Sequence, residues 1–144
     1  MNKVSIILKN KSGNVYTLSK EDTVKKALDV MKESNIGSVL ITEDGSLIGI
    51  FTERDMARRV AYVDDCVDDI TLADVMTSDV FTVTPNHNAN DCMTIMTEKR
   101  VRHLPVVDNG EIVGVLSIGD IVKDIIEELE FLCVQLEGYI QGLR

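Results

Sequence analysis

The chain has 144 residues, 44% of them hydrophobic and 27% charged, with 15 Lys and Arg against 24 Asp and Glu. That length suits one domain, or two small halves sharing a core, and buries about two-thirds of the unfolded surface. A formal charge of −9 argues against non-specific nucleic-acid or anionic-membrane binding, which needs a net positive surface, so any phosphate must be held by a local arrangement.

The opening MNKVSIILKNKSG has too short an apolar run for a secretory leader. The longest apolar stretch, Ile112 to Ile118, is far below the ~20 residues of a membrane span. Val15 to Leu18 (VYTL) alternates and is rich in β-branched and aromatic residues, which predicts a strand. Val24, Ala27, Leu28, Val30 and Met31 follow at helical spacing. SVLIT and SLIGIFT flank Asp44-Gly45, a tight-turn pair able to take positive φ, and so form a hairpin. Thr52-Glu53-Arg54-Asp55 then opens a second helix with Thr52 as N-cap. Asp64 to Asp74 reads as an acidic connector in which LADVM makes one helical turn, and SIILK lies opposite it in the repeat described next. The pattern then recurs: a strand VFTV at Val80 to Val83, ended before Pro85; a helix on Ala89, Cys92, Met93, Ile95 and Met96; a hairpin LPVVD–Asn109-Gly110–EIVGVLS; and a corner Ser117-Ile118-Gly119-Asp120.

Sliding the chain on itself by 65 residues aligns Val15–Ala61 with Val80–Ile126 without a gap. Thr17/Thr82, Met31/Met96, Gly45/Gly110, Gly49/Gly114 and Asp55/Asp120 coincide, and the apolar positions match throughout. Two units are too few for a solenoid. Each has helices on one side of paired strands, and packing sheet to sheet would cover both faces. The expected fold is therefore α/β (α+β): two β-α-β-β-α repeats in a pseudo-two-fold pair with a C-terminal helical extension. Boundaries fall at 4–62 for the first repeat, 63–75 for the connector, 76–125 for the second repeat and 122–143 for the final helix.

The duplicated corner carries the functional reading. A helix N-terminus offers unpaired N–H groups and partial positive charge to a phosphate, and a hydroxyl at the cap can donate to it. An aspartate three residues on can accept from both hydroxyls of a ribose, at about 1.5–3 kcal/mol per charge-assisted bond. One such corner alone reads more readily as a plain capped helix; two at the repeat offset favour the ligand.

The duplicated unit, the hairpin with its glycine turn, and the G-h-h-T/S-x-x-D corner (h apolar) resemble the cystathionine-β-synthase (CBS) domain. In tandem they resemble a Bateman module, most closely small stand-alone bacterial-type CBS-pair proteins. The phrases NIGSVLITEDGSLIGIFTERD and MTEKRVRHLPVVDNGEIVGVLSIGD carry the likeness. It implies a regulatory module that binds an adenosyl ligand in the cleft between the repeats. AMP is the leading candidate, with ADP, ATP, NAD and S-adenosylmethionine behind it. The first site would use Thr52 and Asp55, with Val80 and Phe81 beside the base, Arg102 and His103 facing the phosphate, and Arg54 and Arg58 adding to those cations. The second would use Ser117 and Asp120, Val15 and Tyr16, with Gly37 and Ser38 in place of the basic pair and Lys123 as its nearest cation. The first site is thus expected to take the more highly charged nucleotide. His103 also reads as a neutral side chain packed beside Leu104-Pro105.

Two basic clusters stand out, Lys99-Arg100-Arg102-His103 and Arg54-Arg58-Arg59. His87 reads as a solvated residue near a helix start, and neither histidine has metal-ligand spacing. No nucleophile elbow, phosphate-binding loop or pair of catalytic acids is present, so no enzymatic activity is expected. Cys66, Cys92 and Cys133 are unclustered and read as buried, reduced thiols of a cytoplasmic protein.

The chain closes on IVKDIIEELEFLCVQLEGYIQGLR. Val122, Ile125/Ile126, Leu129, Leu132/Cys133, Leu136, Tyr139/Ile140 and Leu143 recur every 3.5 residues, a coiled-coil seam. The acidic face disfavours membrane, and Gly138 and Gly142 should loosen the last turn. A homodimer is expected from this helix, the other reading being a stripe folded back on the chain's own sheets. The regulated partner is expected to be a separate protein. A ligand-independent scaffold, its corners serving only as caps, is the alternative of different class.

Overall fold

A computed structural model of the chain describes residues 2–11 and 13–142. In order the elements are α1 (Val4–Asn10), β1 (Thr17–Leu18), α2 (Val24–Ser34), β2 (Ser38–Glu43), β3 (Ser46–Thr52), α3 (Glu53–Arg58), α4 (Leu72–Val75), α5 (Ala89–Lys99), β4 (His103–Asp108), β5 (Glu111–Ser117) and α6 (Ile118–Gly142). Both repeats, with a helix after the second, are present as expected.

The duplication reaches into the backbone. Asp44 and Gly45 have φ of 51° and 80°, Asn109 and Gly110 φ of 51° and 81°, which closes both antiparallel hairpins with turns that match strand twist. Both hairpins carry an irregularity one turn from the tip, between Ile41 and Thr42 and between Val106 and Val107. Ser38 pairs with Thr52, and His103 with Ser117. Both α2 and α5 end on a left-handed residue, Asn35 at φ 53° and Arg100 at φ 55°.

The leading strands differ. β1 runs parallel to β2, and the Leu40 N–H donates to the Tyr16 carbonyl at 3.1 Å. The strand expected over Val80 to Val83 is reduced to a single bridge from Val83 to Val106. The cause is Pro105, which stands where the first repeat has Leu40. It has no N–H to donate to the Phe81 carbonyl, so pairing starts only at Val83, whose own N–H reaches the Pro105 carbonyl at 3.0 Å.

Two cores form rather than one shared one. The first gathers Val24, Ala27, Met31, Val39, Ile41 and Phe51 with Ile70, Leu72 and Val75. The second gathers Val83, Ala89, Cys92, Met96, Leu104, Val106, Leu116 and Ile121 with Val4 and Ile7. Each core is thus closed by the helix that precedes the other repeat: α4 covers the first, α1 the second. This explains the paired glycines in β3 and β5. A Cβ on Gly49 would lie 2.5 Å from Met76 Sδ, and one on Gly114 2.6 Å from Leu8 Cδ2. A side chain at Gly114 would displace the Leu8 side chain, and one at Gly49 would displace the Met76 side chain and press on the Thr77 carbonyl at 3.2 Å.

Of the three thiols, only Cys92 is buried; Cys66 and Cys133 are exposed, against the sequence expectation. Burial pushes the Cys92 thiol up to about 11, so it behaves as an apolar core residue. Helix α6 packs Ile121 and Ile125 on the second core and then leaves the body. Every described residue from Leu129 onward is exposed, so the stripe is not folded back on the sheets. The helix continues through Gly138 to Gly142, where a looser last turn was expected; Leu143 lies outside the described residues.

Candidate functional site: two clefts between the repeats

Each strand-to-helix corner lines a cleft, one of about 940 Å³ at Asp55 and one of about 430 Å³ at Asp120. Both lie within the roughly 300–1,000 Å³ of small-molecule sites.

At the first corner, β3 delivers Thr52 in an extended conformation to the start of α3. The Asp55 N–H donates to Thr52 Oγ1 at 3.3 Å, and the Thr52 N–H donates back to Asp55 Oδ2 at 2.9 Å, a reciprocal cap. The Thr77 hydroxyl donates to Asp55 Oδ1 at 2.8 Å, with Arg59 Nε 3.8 Å from that oxygen. Asp55 is only 6% exposed. Both of its oxygens are held by the chain itself.

At the second corner the Ser117 N–H donates to Asp120 Oδ2 at 2.8 Å, and the Asp120 N–H to Ser117 Oγ at 3.2 Å. The outer partner is Lys11, just beyond α1, whose Nζ stands 2.8 Å from Asp120 Oδ2 and 2.7 Å from the Val115 carbonyl. Burial by itself would raise the Asp120 carboxyl. The Lys11 ammonium and the Ser117 amide outweigh it and hold the group below the usual carboxylate range.

The first cleft gathers Thr52, Arg54, Asp55, Phe81, Arg102 and His103; half-buried Val80 does not line it. The second gathers Val15, Tyr16, Gly37, Ser38, Ser117 and Asp120, all six residues expected there. His103 lines both clefts. The close approach depends on Gly37, since a Cβ there would sit 3.1 Å from His103 Nε2. Burial lowers the pKa of His103 most strongly; Glu53 and Asp120 oppose this, while Lys11 and Arg102 add to it. The ring is therefore neutral at pH 7.

The two basic clusters converge on the first cleft. Arg54, Arg58, Arg59, Lys99, Arg100 and Arg102 line it against Glu53, Asp55 and Asp79. Several are already engaged. Arg54 donates to the Arg100 carbonyl, Arg59 to the Met76 carbonyl at 2.6 Å, and the Lys99 ammonium lies 5.3 Å from the Phe81 ring centroid. In the second cleft the cation is Lys11 and not Lys123, which does not line it. Nothing local to the sequence links Lys11 to a carboxylate 109 residues away, and Thr77 was missed for the same reason. His87 turns back on Thr84, its Nδ1 accepting from the Thr84 N–H at 3.0 Å.

No helix among the described residues is long and apolar enough to cross a membrane. No three His, Cys, Asp or Glu side chains among them cluster to hold a metal ion.

Two pseudo-symmetric corners facing two clefts define a tandem-repeat module. The chain belongs to the CBS domain family, whose model matches residues 9–62 and again 72–127. It is 32% identical over 148 residues to the CBS domain-containing protein CBSX3, mitochondrial, of Arabidopsis thaliana, covering 96% of this chain and 72% of that protein. Among solved structures, the CBS domain protein NE2398 superposes with a TM-score of 0.84 at 43% identity, covering 88% of this chain and 99% of that one. The CBS domain pair of MJ0100 superposes with a TM-score of 0.77 at 24% identity over 88% of this chain and 98% of its own, a likeness of fold. That pair was solved in complex with 5′-methylthioadenosine and S-adenosyl-L-methionine. CBS pairs are regulatory modules.

Proposed function

We propose that the protein is a regulatory sensor of adenine nucleotides that binds them in the clefts between its repeats and signals to a separate protein. The observation that carries this reading is the pair of clefts, each walled by a capped hydroxyl-and-aspartate corner from one repeat and by strand and loop residues from the other. The adenosyl ligands of the MJ0100 pair support the ligand class. AMP is the first choice. About 23 heavy atoms at roughly 0.3 kcal/mol each give a dissociation constant on the order of 10 μM, suited to following a metabolite pool.

The clefts differ in charge. Six cationic side chains face three carboxylates in the Asp55 cleft, whereas Lys11 alone faces Asp120 in the other. The Asp55 cleft therefore takes the more highly charged nucleotide, at the cost of opening the Thr77 and Arg59 contacts on Asp55. Equal losses of AMP affinity from Asp55→Ala and Asp120→Ala would reject this ranking.

A second reading, a ligand-independent scaffold, draws on the full engagement of Asp55 by its own chain. Thermal unfolding with millimolar AMP, ADP, ATP, NAD or S-adenosylmethionine separates the two. A ligand at 100 times its dissociation constant stabilises by about 2.7 kcal/mol, which shifts the melting temperature measurably. No shift with any of the five selects the scaffold.

A further inference from the structure

We infer that His103 is a gate shared by the two clefts, whose ring must take up a proton before a nucleotide phosphate can occupy both at once. This rests on the sensor reading above and adds to it how the two sites communicate. His103 lines both clefts, and its ring makes no hydrogen bond or ion pair with any described residue. Its backbone and its ring belong to different corners. Across the second hairpin it pairs with Ser117 of the second corner. The Nε2 edge of the ring lies against Gly37, whose carbonyl accepts from the N–H of Glu53, the first residue of α3, at 3.2 Å. The duplication provides no second ring. At the repeat offset His103 corresponds to Ser38, a short, buried side chain that lines the Asp120 cleft and not the other.

One ring between two phosphates meets a limit set by the chemistry of imidazole. A dianionic phosphate accepts hydrogen bonds and donates none. A neutral imidazole carries one N–H and one lone pair, so it serves one phosphate and turns the lone pair toward the other. Only the imidazolium donates from both nitrogens. In the free protein the ring is held neutral. Burial acts most strongly, Lys11 beyond α1 and Arg102 before β4 act with it, and Glu53 of α3 and Asp120 of α6 oppose them. An anion in one cleft is satisfied by the single N–H of the neutral ring. Anions in both clefts supply two acceptors and the negative charge that together favour the imidazolium. The first nucleotide therefore binds a neutral ring, and the second binds with a proton taken from solvent. Filling both clefts is tied to pH, whereas filling one is not.

Calorimetric titration of the full chain with AMP between about pH 7 and about pH 8 tests this, since a phosphate with its second pKa near 6 stays largely dianionic there. Two AMP molecules are expected per chain. The weaker affinity should rise by up to about tenfold per unit fall in pH, the slope of one proton taken up, while the tighter one stays level. His103→Gln keeps a donor and cannot take a proton, so both of its affinities should stay level. Repulsion between the two phosphates is common to both proteins, and the comparison therefore isolates the ring. Nitrogen NMR of the wild-type chain decides the question even where that variant misfolds. The ring whose protons lie against Gly37 should pass from neutral to doubly protonated as AMP saturates both clefts. One AMP per chain, a level second affinity, a pH dependence retained by His103→Gln, or a ring still neutral at saturation would each overturn the gate and leave the sensor reading in place. Absence of AMP binding at either pH would overturn the gate and AMP as the ligand together.

Discussion

The corners at Thr52–Asp55 and Ser117–Asp120 have the same cap and different surroundings. At the first, the helix lasts six residues before the chain turns into the connector, and Thr77 and Arg59 close over the carboxylate. At the second, the helix runs for 25 residues, and the carboxylate keeps a quarter of its surface and one long-range partner, Lys11. The reciprocal cap is local, needing only a hydroxyl and an acid three residues apart, so both copies retain it. What surrounds it comes from elsewhere in the chain. Similar local sequence therefore gives a carboxylate built into the fold at one corner and a carboxylate left at a cleft wall at the other.

Substitutions can break or sharpen that contrast. The largest effect is expected from Asp55→Ala, which removes the carboxylate half of the reciprocal cap and leaves the Thr52 amide and Thr77 hydroxyl without their acceptor. A loss of about 2–3 kcal/mol by urea unfolding is expected, against about 1 kcal/mol for the more exposed Asp120→Ala; equal losses would erase the distinction. Next comes Gly49→Ala, whose Cβ meets Met76 Sδ at 2.5 Å and the Thr77 carbonyl at 3.2 Å. It should cost about 1–3 kcal/mol by overpacking, more than Gly114→Ala, where only the Leu8 side chain must move. A smaller effect is expected from pH. The pKa of His103 is lowered in the folded state, mainly by burial, so the unfolded chain binds the proton more readily. Its contribution is complete above the unfolded value of about 6.5 and is lost as pH falls below it. His103→Asn should flatten the wild-type decline in melting temperature between neutral and mildly acidic pH. The smallest effect is expected from Lys11→Ala. Its ion pair with Asp120 is partly exposed and contributes less than about 1 kcal/mol, read as a slight fall in the urea midpoint.

Both hairpins, the helix before each and both corners were legible in the sequence, because turn residues, apolar spacing and caps act over a few residues. The loss of the second leading strand was less so: Pro105 is visible, but its effect depends on which carbonyl it faces. The roles of α1 and α4 were not legible, since apolar residues in short segments do not name the sheet they cover. The corners and clefts brought nearly all of the expected site residues together. Val80 does not line the first cleft although its neighbour Phe81 does, and Lys11 was invisible because chain folding alone brings it to Asp120.

The exchange of covering helices between the two cores orders events during synthesis. α1 emerges first, yet the hairpin and helix it must seal are translated last, so its apolar face stays without its native cover until residues beyond Ile121 appear. The first core closes much sooner, once α4 is out. A ribosome stalled midway would thus display a finished first half with Val4 and Ile7 still waiting.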